Sequence, residues 1–208
     1  TFSRDTLNPL LGPNRWPPNL SSLATSVIPF FNAASACAED LLRGFAIGVG
    51  LSPEFFIAAR DRPVSRGSLQ YYPPQPRDVV EPRFGVSAHT DFGMLTLLCQ
   101  DTVGGLQVQR LDGQWAAVPP VNGTIVVNVG DLLDKWTNGR FRSTPHRVIN
   151  ASGKERLSLV LAYDPNFETV IDPRSLMRPA DQPDAATITC GDYLLWRFKK
   201  AFAYRNSP

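Results

Sequence analysis

The hydrophobic residues of this chain follow two different periods. Between residues 21 and 49 they recur mostly three or four positions apart, which is the spacing of one face of an α-helix. These residues are Val27, Phe30, Phe31, Ala34, Ala38, Leu41, Leu42, Phe45, Ala46 and Val49. The pattern predicts a long amphipathic helix, in which Pro29 should end or kink an early turn because proline lacks an amide donor and crowds the carbonyl four residues back.

Two shorter segments also have helical features. The dipeptide Ser52-Pro53 is typical of a helix cap and first turn, and it predicts a short helix that ends near Ala59. Near the other end of the chain, residues 192–204 have helical spacing of their apolar side chains. These are Leu194, Leu195, Phe198 and Phe202.

Beyond residue 66 the pattern changes to short runs rich in β-branched and aromatic residues. Seven such runs are predicted strands. They cover residues 68–72, 94–99, 106–110, 115–118, 124–129, 147–150 and 156–163. Pairs such as Gly104-Gly105 and Asn138-Gly139 supply turns between them, since Gly and Asn tolerate positive φ. Many short strands at close spacing predict a mainly β fold with flanking helices, of the sandwich or barrel type.

Proline marks two predicted loops, because each proline removes an amide donor. One is the first twenty residues and the other is the surface loop at 172–184. We therefore expect residues 1–66 to form a lead-in loop and outer helices, the remnant of a larger N-terminal part. Residues 67–208 should form the β core with a C-terminal helix.

Composition narrows the class of protein. The chain has 208 residues, of which 43% are hydrophobic, and this permits one sizeable core. Lys and Arg number 21 against 19 Asp and Glu, without a run of like charge, so nucleic acid is not an expected partner. No stretch approaches the roughly 20 apolar residues of a membrane span. Three scattered cysteines favour a reducing, cytoplasmic compartment over a disulfide framework.

The two histidines of the chain lie in segments that could hold one shared metal ion. His89 and Asp91 are two residues apart, so on an extended strand end both side chains project to one face. His146 would come from a distant strand, which a β-sandwich can bring to the same place. Two imidazoles and one carboxylate occupy one face of an octahedral ion and leave the opposite positions free for substrate and dioxygen, which favours mononuclear iron(II).

The two histidines and Asp91 could also have structural roles, or could bind a different metal. A single histidine is more often a packed or surface residue than a ligand, but two histidines in β-rich segments with a suitably spaced aspartate favour a joint site. Zinc is the alternative metal. A structural zinc site normally has four ligands, however, and no cysteine lies close in the sequence.

Arg156 and Ser158 share one face of a predicted strand, ten residues beyond His146. A guanidinium binds a carboxylate through two parallel donors, and the nearby hydroxyl adds a third. The pair is therefore suited to anchoring a dicarboxylate. The alternative is an arginine that begins a surface strand.

Several segments together carry a family resemblance. They are Gln70-Tyr71-Tyr72-Pro73-Pro74, residues 89–98, Gly104-Gly105-Leu106-Gln107-Val108, Val127-Asn128-Val129-Gly130-Asp131, Thr137-Asn138-Gly139-Arg140, residues 143–148 and Arg156-Leu157-Ser158. In these the chain resembles the isopenicillin N synthase-like branch of the iron(II) and 2-oxoglutarate-dependent dioxygenases. The resemblance runs from about Gly12 almost to the end of the chain. It implies a double-stranded β-helix, a cupin-like jelly roll with helices packed outside.

The resemblance also implies roles for individual residues. His89, Asp91 and His146 would bind iron(II), while Arg156, Ser158 and Tyr72 would hold the distal carboxylate of 2-oxoglutarate. In the family, oxidative decarboxylation of 2-oxoglutarate by dioxygen is coupled to oxidation of an unactivated C–H bond, usually a hydroxylation and sometimes a desaturation or ring formation. Ascorbate is a candidate reductant. The expected partner is a small organic substrate.

The chain departs from the family pattern at a few positions. Gln70 replaces an asparagine that is common in plant members, and it is a candidate wall of the substrate pocket. Ala162, on the inward face of the strand of Arg156, stands where relatives often have phenylalanine, which predicts a roomier pocket. Phe92 is either a substrate contact or a packing residue. Asp131 and Asn128 are expected to support the site without binding substrate.

Two other functions compete with this prediction. Oxidases of the same fold keep the Arg-x-Ser pair but do not use 2-oxoglutarate, and they differ by turning over without release of succinate. A jelly-roll module that binds a ligand without catalysis is a different class, which has no need for three metal ligands and a carboxylate-binding arginine at these spacings. The sequence does not identify the substrate, and it leaves the oligomeric state open.

Overall fold

The computed structural model describes residues 2–3, 8–20, 22–75, 84–177 and 186–201. The strands in this part are β1 (Phe2–Ser3), β2 (Arg66–Tyr72), β3 (Phe84–His89), β4 (Leu95–Gln100), β5 (Leu106–Gln109), β6 (Trp115–Ala117), β7 (Val126–Val129), β8 (His146–Ile149), β9 (Arg156–Tyr163), β10 (Val170–Ile171) and β11 (Ile188–Thr189). The helices are α1 (Ser22–Gly48), α2 (Asp131–Trp136) and α3 (Cys190–Ala201), with a short 3-10 helix at Pro173–Leu176. The protein is therefore mainly β with flanking helices, as predicted.

The strands form two larger antiparallel sheets and one separate pair. The first sheet has the order β1-β2-β9-β4-β7, and the second has the order β3-β8-β5-β6. From β2 to β9 the chain passes repeatedly from one sheet to the other, which is the winding of a jelly roll. Strands β10 and β11 pair with each other.

The two faces of the first sheet pack against different parts of the protein. On β9, Leu161 and Tyr163 belong to a hydrophobic cluster that includes the buried side of α1. Val160, on the other face, packs against a second cluster that contains Leu106 and Val148 of the second sheet. Helix α1 therefore covers the outer face, and the space between the sheets lies behind the inner face. Full burial of each large apolar side chain contributes about 1.5–3 kcal/mol.

The helix predictions need three corrections. Pro29 does not end the helix, because burial of residues such as Phe31 outweighs one missing hydrogen bond and α1 continues on both sides of it. The alternative, a kink at Pro29, stays a prediction. The short helix predicted for residues 52–59 is wrong. That segment consists of turns, in which backbone bonds such as Phe55 N–H to Ser52 C=O (3.0 Å) span three residues. Helix α2 was not predicted, since six residues are too few to show a period.

All seven predicted strands are present, with bounds that differ by a few residues. Strand β3 was not delimited from the sequence, and β1, β10 and β11 are only two residues long. Helix α3 agrees with the predicted C-terminal helix as far as residue 201. Residues 202–204 of that prediction, and 178–184 of the predicted loop, lie outside the described residues. In the described chain, none of the helices combines the length and apolar character of a membrane span.

Candidate metal centre

The three candidate metal ligands meet at one end of the second sheet. His89 is the last residue of β3 and His146 is the first residue of β8, and the two are opposite each other in the antiparallel register. Asp91 follows in the turn after β3. The potential ligand atoms of the three side chains all lie within 4.8 Å of one another, and Nε2 of His146 is 3.7 Å from Oδ2 of Asp91. The side chains are close enough to share one ion.

Backbone carbonyl groups orient both imidazoles. Nδ1 of His89 is 2.8 Å from the carbonyl oxygen of Ser87, and Nδ1 of His146 is 3.2 Å from that of Thr144. A proton on Nδ1 makes these hydrogen bonds and leaves Nε2 with a free lone pair for a metal. Burial lowers the pKa of His89, and the neighbouring His146 lowers it further. Both effects favour the neutral imidazole that binds metals.

The environment of Asp91 tests whether a metal ion fits this site. In the part of the chain that the structure describes, Oδ2 of Asp91 is buried and has no hydrogen-bond partner. A buried carboxylate oxygen without a partner is unfavourable, and a divalent ion at the centre of the triad would satisfy it. Two histidines and one aspartate on one face, with other positions open, suit non-haem iron(II). The residues therefore fit a mononuclear iron(II) ion.

The turn that carries Asp91 is fixed by the beginning of α2. The N–H of Asp131 donates to the carbonyl of Asp91 (2.8 Å), and the N–H of Leu132 donates to the carbonyl of Gly93 (3.0 Å). These amides belong to the first turn of α2, where helical N–H groups have no partner within the helix. The first turn of α2 thus holds the turn of Asp91 through N–H donors that have no partner within the helix.

Asp164, directly after β9, holds the same turn through its side chain. Its Oδ1 accepts from the N–H of Met94 (3.0 Å), and its Oδ2 pairs with Nη1 of Arg66 (3.1 Å). Burial raises the pKa of Asp164, and Arg66 opposes that shift. A Cβ atom at Gly93 would overlap the Asp164 carboxylate, so this close approach requires glycine at that position.

Arg156, the first residue of β9, has a fully buried side chain. Its Nε donates to the carbonyl of Gly104 (2.7 Å), and its Nη1 lies 3.4 Å from Oγ of Ser158. Its hydrogen-bond partners among the described residues are neutral oxygen atoms, and no carboxylate there pairs with it. A buried cation without a counter-ion is strongly unfavourable. Arg156 is therefore suited to receive an anionic ligand.

A cavity of about 210 Å³ extends from the candidate metal ligands to Arg156. Its wall includes His89, Asp91, His146, Arg156, Tyr72, Gln70, Asn128 and apolar residues of both sheets. A small dicarboxylate in this cavity could reach the metal with one end and the guanidinium with the other. The polar groups thus converge in a largely apolar space between the sheets, which is typical of ligand sites.

The remaining predicted site residues have different positions. Tyr72 lies against Arg156, with 4.7 Å between its ring centroid and the guanidinium carbon, and Gln70 is in the cavity wall. Ser158 is buried beside Arg156 without being part of that wall. Phe92 packs against Phe198 of α3, with ring centroids 5.7 Å apart. Neither Phe92 nor Ala162 lines this cavity.

Sequence reasoning missed two residues that support the site. Asp164 continues the inward alternation of β9 beyond Ala162, so counting by twos for one more step would have found it. Arg197 of α3 reaches Thr90 and Asp131, at 3.0 Å from the Thr90 hydroxyl and 3.2 Å from Oδ2 of Asp131. No spacing along the chain indicates that contact, because it depends on how α3 packs.

Comparison with known proteins agrees with the geometry. Residues 67–165 match the model of the 2OG-Fe(II) oxygenase superfamily. The 2-oxoglutarate-Fe(II) type oxidoreductase hxnY of Emericella nidulans is 36% identical over 197 residues, which cover 92% of this chain and 56% of that protein. The homoarginine-6-hydroxylase 2-ODD-C23 of Glycine max is 39% identical over 168 residues, covering 78% of this chain and 51% of that protein. The chain thus spans about half the length of these relatives.

Solved structures give the same result. A full-length Neurospora crassa protein, crystallised in complex with α-ketoglutarate, superposes with a TM-score of 0.84 at 30% identity, covering 90% of this chain and 61% of that one. The predicted jelly-roll fold is therefore confirmed. Two histidines and one aspartate, placed together on this jelly roll, are the ligand set of non-haem iron(II) oxygenases. Residues 67–165 therefore form a domain of the iron(II) and 2-oxoglutarate-dependent oxygenase superfamily, whose cofactor and cosubstrates are iron(II), 2-oxoglutarate and dioxygen.

Proposed function

We propose that the protein couples oxidative decarboxylation of 2-oxoglutarate to hydroxylation, or a related C–H oxidation, of a small organic molecule. His89, Asp91 and His146 would hold the metal. Bound iron(II) would supply the activation of dioxygen, and the protein would orient the reactants and exclude water. The relatives named as 2-oxoglutarate-Fe(II) oxidoreductases and hydroxylases support this reaction class over an oxidase that does not use 2-oxoglutarate.

The observation that carries this proposal is the buried guanidinium of Arg156 in the same cavity as the metal ligands. A bound dicarboxylate would account for the arginine at one end of that cavity and the candidate metal ligands at the other. One carboxylate neutralises Arg156, with Ser158 and Tyr72 beside it, and the other end of the molecule reaches the metal. A jelly-roll module that binds a ligand without catalysis has no need for three metal ligands together with a carboxylate-binding arginine. The site therefore favours 2-oxoglutarate as the cosubstrate.

The region around Ala162, on the same face of β9 as Arg156, would face the organic substrate. Ala162 is directly opposite Arg66 and Thr96 in the strand register, and its small side chain would leave room there. Phe92 is held by contacts with α3, so we assign it a packing role that shapes the pocket. Gln70 borders the 2-oxoglutarate cavity, where it would contact the cosubstrate side of the site.

Anaerobic titration tests the proposal. Iron(II) is added to the purified protein, followed by 2-oxoglutarate, while the charge-transfer absorption of the chelate is recorded. We expect the band to develop with one equivalent of each and to shift when a compound from a substrate screen binds. In air, substrate oxidation should then release succinate in equal amount. Iron-dependent turnover without 2-oxoglutarate would overturn the proposal in favour of the oxidase, and absence of iron binding would favour the non-catalytic module.

We further propose that the partner is a small molecule, and that the protein acts in a reducing, cytoplasmic environment. The three cysteines, Cys37, Cys99 and Cys190, are all unpaired, which suits such a compartment. In this proposal residues 67–208 form the catalytic core and residues 1–66 form its outer flank.

A further inference from the structure

Asp131 connects three segments around the candidate metal ligands through its carboxylate and its backbone N–H. Its Oδ1 accepts from the hydroxyl of Ser143 (2.8 Å), which precedes His146 by three residues. Its Oδ2 accepts from the hydroxyl of Tyr193 on α3 (2.9 Å). Its backbone N–H donates to the carbonyl of Asp91. One residue thus contacts the turn of Asp91, the approach to His146 and the C-terminal helix.

Arg197 of α3 completes this connection. Its Nη2 is 3.2 Å from Oδ2 of Asp131, 3.0 Å from the hydroxyl of Thr90 and 3.3 Å from the carbonyl of Thr90. Thr90 is the residue between the ligands His89 and Asp91. A single guanidinium nitrogen therefore contacts both the turn of Asp91 and the carboxylate of Asp131, whose backbone N–H donates to that turn.

The guanidinium of Arg197 is held in place as well. Its guanidinium carbon lies 4.2 Å from the centroid of the Phe92 ring, and Phe92 packs on Phe198. The side chain is only 19% exposed. A planar guanidinium that stacks on an aromatic ring while donating at its edge has little freedom to move.

We propose that Arg197 is a positioning residue of the iron site, and that α3 through Arg197 holds the Thr90–Asp91 turn in the geometry that binds the metal. This inference rests on the proposed iron site, and it extends that site to a helix that contributes no ligand. Residues that orient metal ligands are typically worth 10- to 100-fold in metal affinity.

The direction of the change in metal affinity distinguishes a positioning role of Arg197 from a purely electrostatic one. The positive charge of Arg197 repels a divalent cation, so removing that charge alone should tighten metal binding. Loss of positioning should weaken it, because Asp91 would no longer be fixed relative to the two histidines. Arg197→Met removes the charge and the hydrogen bonds while keeping an unbranched apolar stem. The two explanations therefore predict opposite changes for the same variant.

The test measures the dissociation constant of Co(II), a redox-stable substitute for iron(II), by calorimetry and by the visible absorption of the bound ion. We expect Arg197→Met to weaken Co(II) binding by about 10- to 100-fold and to alter the absorption of the residual complex. Lys199→Met is the matched control, since it removes an exposed cation from the same helix and should leave both readouts unchanged. Unchanged or tighter binding in Arg197→Met overturns the proposal.

A second variant distinguishes loss of metal positioning from loss of folding. Thr90→Val keeps the shape of the side chain and removes the hydroxyl that Arg197 contacts, and we expect it to weaken Co(II) binding several-fold. The unfolding midpoint of the metal-free protein is measured alongside. A lowered midpoint with unchanged Co(II) affinity in both variants would assign Arg197 a structural role only and refute the inference. Failure of the wild-type protein to bind Co(II) would refute the proposed iron site itself.

Discussion

Arg156 lies over the ring of Tyr72, with 4.7 Å between the guanidinium carbon and the ring centroid, and the two residues are opposite each other in the register of β9 and β2. The strand pairing therefore places an aromatic face against a buried cation in the wall of the cavity. A cation–π contact of this kind supplies part of the stabilisation that a buried guanidinium needs. The rest would come from the carboxylate of the cosubstrate.

Arg156→Leu should weaken 2-oxoglutarate binding far more than iron(II) binding. The buried carboxylate of 2-oxoglutarate would lose its charge-assisted partner, at a cost of roughly 2–5 kcal/mol. The metal ligands lie at the other end of the cavity and should keep their affinity. Calorimetric titration of the variant with iron(II), and then with 2-oxoglutarate, measures the two effects separately.

Arg110→Leu is the control for that experiment, because Arg110 is exposed directly after β5 and its loss removes the same charge. It should bind 2-oxoglutarate like the wild type. If Arg156→Leu and Arg110→Leu give the same 2-oxoglutarate affinity, the assignment of Arg156 as the carboxylate partner is wrong.

Metal should stabilise the fold through the triad. A ligand that binds only the folded state at 100 times its dissociation constant adds about 2.7 kcal/mol, which for a chain of this length raises the melting midpoint by about 5–10 °C. His146→Ala should abolish that rise. Asp40→Asn, which changes a carboxylate with 78% side-chain exposure, should preserve it. Thermal melts with a divalent ion and with a chelator provide the measurement, and an equal rise in His146→Ala would contradict the site.

The arrangement of the three candidate metal ligands could be predicted from the sequence because strand geometry makes it largely local. His89 and Asp91 share a strand end, and a two-residue spacing fixes their relation whatever surrounds them. Placing His146 beside them required one long-range assumption, namely that its strand pairs with the strand that carries His89. The register of β3 and β8 shows this pairing. Arg156 and Ser158 were found by the same alternation.

The supporting residues could not be predicted in this way. Arg197 and Tyr193 reach Asp131 only because α3 packs beside α2, and nothing in the spacing of either helix specifies that neighbour. Helix α2 is six residues long, too short for a hydrophobic period. The role of Phe92 also depends on tertiary contacts, since an aromatic residue after a metal ligand can line a pocket or pack against a helix.

The packing of α1 on the first sheet should determine stability without affecting the metal. Leu42 is fully buried in the cluster between them, and Leu42→Ala should lower the free energy of unfolding by about 2–5 kcal/mol. Urea denaturation measures this loss. Leu111→Ala, at a side chain that is 85% exposed, should change stability little. A marked loss of iron(II) affinity in folded Leu42→Ala would mean that the helix contributes to the site directly.

A pair of glycine substitutions tests how closely the metal-binding turn is packed. A Cβ at Gly93 would overlap the carboxylate of Asp164, which is held by Arg66 and by the N–H of Met94. Gly93→Ala should therefore destabilise the protein by about 1–3 kcal/mol and also weaken iron(II) binding, because relief of the overlap must move the turn or Asp164.

Gly44→Ala is the matched comparison, since Gly44 lies inside α1 and a Cβ there has no atom within 4 Å. Alanine in a helix interior is favoured over glycine by about 0.5–1 kcal/mol, so this variant should gain stability and keep its metal affinity. The two substitutions add the same methyl group. Opposite changes in the free energy of unfolding, measured by urea denaturation, would show that the surroundings of each glycine determine the effect. If Gly93→Ala were as stable as Gly44→Ala and bound iron(II) equally well, the close contact between the turn and Asp164 would be dispensable for the site.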